Sequence, residues 1–222
     1  MKTYKYLSFI TAFFVSILLV SNIASTKILL LGPFTFDGGT ILFPLSYIFG
    51  DVLTEVYGYS KTRRVIWTAF IMGILAAIIF YIVGQLPAAA DWNGQEAYDM
   101  ILGIVPRIVL GSVLAFLAGE FSNSYILAKM KVAMKGKHLW MRTIGSTLVG
   151  EGLDTAVFVL VAFYGILSPD LLWTIIISNY IFKVSIEILF TPLTYAIVGY
   201  LKHNEKEDYY DEKTDFNPLH LD

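Results

Sequence analysis

Apolar residues along the chain run in six long stretches, at about 6–27, 40–59, 64–86, 104–128, 143–166 and 171–201. A hydrocarbon core of about 30 Å takes roughly 20 helical residues to cross, and each stretch is long enough. The pattern predicts an all-α polytopic membrane protein with six transmembrane helices over 1–201, followed by a polar, acidic tail over 202–222 that is expected to be mobile. The first stretch is too long for a cleaved secretory signal and has no small-residue cleavage site before Lys27, so it reads as a retained helix. Six helices divide into two halves of three, and an odd number per half would invert the second.

Composition adds exclusions. At 56% hydrophobic and 15% charged, with a mean hydropathy of +0.65, the 222 residues are far more apolar than an ordinary soluble domain. The absence of cysteine removes disulfides and thiolate chemistry. His138, His203 and His220 lie in a loop and the tail, no H-E-x-x-H or Ser-base pattern occurs, and no Gly-rich phosphate loop is present. No enzyme activity, metal, cofactor, ATP hydrolysis or nucleic-acid partner is therefore expected.

Thirteen of the 16 basic residues fall on one side of a six-span arrangement: Lys2 and Lys5, then Lys61, Arg63 and Arg64, then Lys129, Lys131, Lys135, Lys137 and Arg142, then Lys202, Lys206 and Lys213. The opposite loops hold "AAADWNGQEAYDM" and "SPD". The bias predicts that both termini are cytoplasmic. Lys27 and Arg107 lie near outer helix ends, where long side chains snorkel to the headgroups.

Seven charges break the apolar pattern deep inside the stretches: Asp51, Glu55, Glu120, Glu151, Asp154, Lys183 and Glu187. At about 2.5 to 3.5 kcal/mol each even on lenient insertion scales, they must be paired, protonated or facing a wet cavity. Helical spacing places Tyr47, Asp51 and Glu55 on one face of helix 2, and Glu120, Asn123 and Ser124 on one face of helix 4. Thr147, Glu151, Asp154 and Thr155 share a face of helix 5, and Asn179, Lys183 and Glu187 a face of helix 6. Four polar stripes at similar depth point to one central acidic chamber. For Lys183 and Glu187 an intrahelical ion pair stands beside a ligand role, and for Asp51 and Glu55 a clamp with Arg63 and Arg64 stands beside a site. Asn22 either bonds a neighbouring helix or joins the site. A carrier holding a small polar solute near the midplane fits better than a channel.

The segments "SNIASTK" (21–27), "FPLSYIFGDVLTEVYGYSKTRR" (43–64), "GEFSNSYILAKMK" (119–131), "RTIGSTLVGEGLDTAVFVLVAF" (142–163) and "NYIFKVSIEILFTPLTY" (179–195) resemble the queuosine precursor transporter family, also called the vitamin uptake transporter family. The resemblance covers roughly 20–200, and D-x-x-T-E-x-Y-G is its most specific block. It implies uptake of the 7-deazaguanines preQ0 and preQ1 across the inner (plasma) membrane. Their guanine-like edge presents two parallel N–H donors that one carboxylate can accept. On this reading Glu151, Glu120, Asn123, Asp154, Asn179, Lys183 and Asn22 are the substrate-binding candidates, and Asp51, Glu55, Glu187, Arg63 and Arg64 are assigned to gating or coupling. The alternatives are a substrate-binding component of an energy-coupling-factor importer and a non-transporting membrane subunit. A homodimer in the bilayer is the expected assembly, because six helices make a thin shell around a chamber.

Overall fold

The structure is a computed structural model describing residues 4–31, 34–103, 105–165, 168–212 and 214–217; Lys2, Lys213 and His220 lie outside the described residues. The described residues form seven α-helices: α1 (Leu7–Ala24), α2 (Phe43–Tyr57), α3 (Tyr59–Gln85), α4 (Gln95–Leu102), α5 (Val105–Ala133), α6 (Leu139–Phe163) and α7 (Pro169–Glu205). α1, α3, the α4–α5 stretch, α6 and α7 are long and apolar enough to cross a membrane. α2, at 15 residues, is about 22 Å long, shorter than a hydrocarbon core. The protein is all-α and multi-pass, with one small addition that the apolar pattern does not announce. Strands β1 (Ile28–Leu31) and β2 (Phe34–Asp37) pair antiparallel, and a 3-10 turn, Gly38–Ile41, leads into α2. Buried Phe36 of β2 packs on Phe182 of α7 at 4.6 Å between ring centroids, so the hairpin folds inward over the bundle.

Several helix ends differ from the sequence expectation, each for a local reason. Residues 60–63, read as a loop, are the first turn of α3, because Gly58 at φ +88° breaks the chain in one residue. α5 continues to Ala133 and α6 starts at Leu139, so Lys129, Lys131 and Arg142 are helical residues rather than loop residues. Half of the "AAADWNGQEAYDM" loop forms α4. It is tied back to α3 by Tyr98 donating to the Phe80 carbonyl and Gln95 to the Gly84 carbonyl.

Helices α2, α5, α6 and α7 pack in a closed ring, α2 on α5, α5 on α6, α6 on α7 and α7 on α2, with α1 and α3 outside against α2 and α5. Phe14, Val52, Leu53, Val56, Ile66, Phe70 and Phe116 fill the seam between the outer pair and the ring. Leu148, Leu153, Leu160, Ile181, Ile188 and Leu189 are exposed on α6 and α7, as a lipid-facing surface requires.

Both termini sit at one end of the bundle. Glu205 of α7 accepts the backbone N–H groups of Lys5 and Tyr6 and the hydroxyl of Tyr57, satisfying donors at the start of α1 and locking the end of α2. The tail, expected to be mobile on composition, makes ordered contacts across the same end. Asp208 accepts from Lys131 at 2.6 Å and pairs with Lys202 at 2.9 Å. Tyr209 lies against Gly58, Asp211 accepts from the Tyr59 N–H, and Phe216 packs on Tyr59 and Tyr125. Composition misses this because the tail's acids and aromatics find cations and rings that only the folded bundle presents.

Partial burial pushes the Asp208 carboxyl up, but hydrogen bonds from Lys131 and Lys202 outweigh it and hold the group below the usual carboxylate range. A depressed carboxylate contributes stability above its unfolded value and loses it as pH falls through the folded one. Asp208→Asn is therefore expected to melt earlier than the parent protein in detergent near neutral pH. The gap should close as the solution is acidified below the ordinary Asp range. A constant gap across that range would show that the ion pair is not its source.

Candidate functional site

Charge burial organises the ring at two depths. Nearer the termini, the α2 stripe ends at Glu55, fully buried, which accepts two hydrogen bonds from the Arg142 guanidinium on α6: one Nη1 to Oε2, the other Nη2 to Oε1 at 3.1 Å. Lys202 of α7 donates to the same Oε1 at 2.6 Å, and Lys131 of α5 stands 3.6 Å away while donating to the Glu55 carbonyl at 2.7 Å. One carboxylate thus collects a cation from each of the other three ring helices. Arg142 also donates from Nε to the Lys137 carbonyl and from Nη2 to the Gly136 carbonyl, which ties it to the α5–α6 connection.

The second cluster lies deeper. Asp51 precedes Glu55 by one turn on α2 and accepts from the Asn123 amide of α5 at 2.8 Å. Glu120 lies one turn before Ser124, whose hydroxyl donates to it at 3.4 Å, and Thr54 links Ser124 to Thr62 of α3. The Glu120 carboxyl fits directly beneath Gly50, where a Cβ would collide with its Oε1. On the other side of the ring, Lys183 of α7 donates to Asp154 of α6 at 2.6 Å and lies 3.4 Å from Glu151. Glu187 stands within electrostatic range of Asp51, Glu151 and Glu120.

Five carboxylates therefore share a buried centre with one lysine, Lys183. Their hydrogen bonds are far from complete. Among the described residues Asp51 Oδ2, Glu120 Oε2, Asn123 Oδ1, Asp154 Oδ1, Asn179 Oδ1 and both oxygens of Glu151 and Glu187 accept no hydrogen bond. Buried acceptors left without donors cost about 1–3 kcal/mol each, more when charged. The arrangement is a set of acceptors in want of donors, and its natural complement is a solute or proton that brings N–H or O–H groups.

The structure brings together Glu120, Asn123, Glu151, Asp154, Asn179, Lys183, Asp51 and Glu187, all on the ring helices. Three expectations change. Lys183 pairs with Asp154 and Glu151 rather than with Glu187, because the inward face of α6 offers it closer acids than its own helix does. Arg63 is not the clamp partner of Asp51 or Glu55: it donates to the carbonyls of Asp215 and Asn217 in the tail, and Arg64 is exposed, since α3 lies outside the ring. Asn22 lines a separate crevice of about 20 Å³ with Gly73, Ser112 and Phe116 between α1, α3 and α5. That is room for about one water molecule rather than a bicyclic base.

Lys131, Arg142 and Lys202, the partners of Glu55, count in the sequence only as loop and tail positives. Their helical phase carries the missing signal. Lys131 continues the Glu120, Asn123, Ser124 face by two turns, and Arg142 lies four residues before buried Ser146, one turn before Thr147. Gly50 gives no sign in the sequence that it makes room for a carboxylate.

Residues 37–197 match the family described as "Putative vitamin uptake transporter". A protein of Bacillus subtilis named "Probable queuosine precursor transporter" is 31% identical over 190 residues, covering 84% of this chain and 82% of its own. The Escherichia coli "Queuosine precursor transporter" is 27% identical over 203 residues, 89% of this chain and 88% of its own. No solved structure matches.

Removing the Glu55 carboxylate strands Arg142 in the interior and leaves Lys131 and Lys202 to Asp208, so Glu55→Gln should cost about 3–5 kcal/mol, read as lost accumulation in the membrane or early melting of the purified protein. A stable Glu55→Gln would mean that Asp208 alone neutralises the three cations. Gly50→Ala should cost about 1–3 kcal/mol by driving the new methyl into Glu120. Pairing it with Glu120→Ala should recover part of the loss, and strict additivity would refute the contact.

Proposed function

The chain belongs to the vitamin uptake transporter family, and from that premise we propose that it carries the queuosine precursors preQ0 and preQ1 inward across the plasma membrane. It is a transporter and not an enzyme. The substrate class is supported by the names of its relatives and by the chemistry of the buried ring. A 7-deazaguanine offers N1–H and the exocyclic amine as adjacent parallel donors and O6 as an acceptor. Glu151, with neither oxygen hydrogen-bonded, takes the two donors, and the Lys183 ammonium beside it faces O6. Asn179 and Asn123 complete the polar contacts, each with a carbonyl oxygen that accepts no hydrogen bond. An ill-fitting base would leave these buried groups unpaired, which is how such a site discriminates. The observation that carries the reading is the excess of donor-seeking carboxylate oxygens around one lysine, which suits a donor-rich neutral or cationic solute and repels an anion.

Orientation follows from the same end of the bundle. Lys5, Lys61, Lys129, Lys131, Lys202 and the tail gather where both termini lie, and the positive-inside rule makes that end cytoplasmic.

Expressed in a host lacking its own carrier, the chain should restore queuosine in tRNA when either precursor is fed at low concentration, and the purified chain alone should take up the base in liposomes. Uptake that needs added ATPase subunits would assign it instead to an energy-coupling-factor importer. In detergent, Glu151→Gln sets an amide donor against a donor and should weaken precursor binding about 10- to 150-fold, the equivalent of about 1.5–3 kcal/mol. Parent-like affinity in both Glu151→Gln and Glu120→Gln would refute the carboxylate-to-guanine-edge contact.

A further inference from the structure

Glu187 is the acid in this ring that the substrate reading leaves without a task. It is buried on α7, one turn beyond Lys183, yet Lys183 turns away to Asp154 and Glu151. The other four acids of the ring each have some support: Asp51 takes the Asn123 amide, Glu120 the Ser124 hydroxyl, Asp154 a direct bond from Lys183, and Glu151 the same ammonium at 3.4 Å. Neither oxygen of Glu187 accepts a hydrogen bond. Thr191, one turn on, donates its hydroxyl to the Glu187 main-chain carbonyl and not to the carboxylate. Around it stand Asp51 from α2, Glu120 from α5 and Glu151 from α6.

We propose that the Glu187 carboxyl, buried on α7 with neither oxygen hydrogen-bonded, is the proton-binding site that couples uptake to the proton gradient. The proposal rests on the ring being the substrate chamber of a carrier. A carboxylate buried without donor or cation is unstable as the anion, and a proton removes that penalty. Both Glu187 oxygens are buried and accept no hydrogen bond, and a proton neutralises the group while turning one oxygen into a donor. The proton arrives from the outer solution on a Glu187 oxygen while the chamber is open outward and leaves to the inner solution when it is open inward, one proton travelling with each base. Coupling follows from charge: the ring closes when Glu187 is protonated and the substrate's N–H groups occupy Glu151. It resists closing with either acid bare. Pro192, inside α7 one turn beyond Glu187, frees the Ile188 carbonyl and gives the helix a place to bend.

Two measurements test this, the first without substrate. Infrared difference spectra of the purified protein between acid and alkaline pH should contain a carboxylic-acid carbonyl band that Glu187→Gln lacks. A spectrum unchanged by that substitution overturns the proposal and leaves the substrate reading untouched. In proteoliposomes, an inward proton gradient should drive accumulation of preQ1, with alkalinisation outside. Glu187→Gln should bind preQ1 like the parent and exchange it across the membrane, yet lose gradient-driven accumulation altogether. Accumulation retained in Glu187→Gln, driven by a sodium gradient instead, or lost together with preQ1 binding, overturns the assignment. Should Glu187→Gln fail to insert, Glu187→Asp keeps an acid one methylene shorter and is expected to retain coupling with a shifted pH dependence. An unshifted dependence counts against Glu187.

Discussion

Everything in this bundle hangs on how a low-dielectric interior accommodates the Glu55 carboxylate. Charges of this kind are tolerated only when opposite charges and donors surround them, and here Arg142, Lys131 and Lys202 arrive from three different helices. Because each partner belongs to another ring helix, the ion cluster fixes the rotation of α5, α6 and α7 about their axes. Those rotations then decide which residues one, two and three turns deeper face inward. Asp51 lies one turn below Glu55, Ser124 and Glu120 two and three turns below Lys131, and Glu151 and Asp154 about three turns along from Arg142. The deep acidic cluster is therefore registered by the shallow, well-compensated one.

The two clusters contrast in a way that separates structure from function. At Glu55 the oxygens are shared among cations and the surrounding donors are matched to carbonyls of the α5–α6 connection and the tail. At Glu187, Glu151 and Glu120 the same residue type is left short of donors. Stability alone would favour removing such groups, since apolar residues of similar volume are often as good or better in a buried position. Their presence together inside the ring supports the proposed binding of polar cargo there.

Much of this was legible in the sequence, and the limits have physical causes. The six apolar stretches and the four polar stripes emerge because helical periodicity and bilayer thickness are properties of the chain itself. The Glu55 cluster was invisible because its partners look like ordinary positive-inside residues until the helices are extended past the apolar windows that define them. Lys183 was assigned two readings because i,i+4 spacing permits an ion pair, whereas the choice among Glu187, Asp154 and Glu151 is made by interhelical packing. The β1–β2 hairpin escaped for a related reason: residues 28–37 are short and apolar, and only docking of Phe36 against Phe182 of α7 places them.

That hairpin and the tail occupy opposite ends of the ring and suggest how α2 can be so short. Fifteen helical residues leave part of a bilayer crossing unfilled. Backbone that is neither helical nor lipid-exposed is tolerated at such depth only where protein covers it. The inward-folded hairpin supplies the missing length at the end away from the termini, with Phe36 beside the residue that precedes Lys183. At the other end Gly58 ends α2 abruptly, and Tyr209 of the tail lies in the space left by its missing side chain. α2 carries Gly50, Asp51 and Glu55, so a small displacement of it alters the space above Glu120 and the grip of the cations at once.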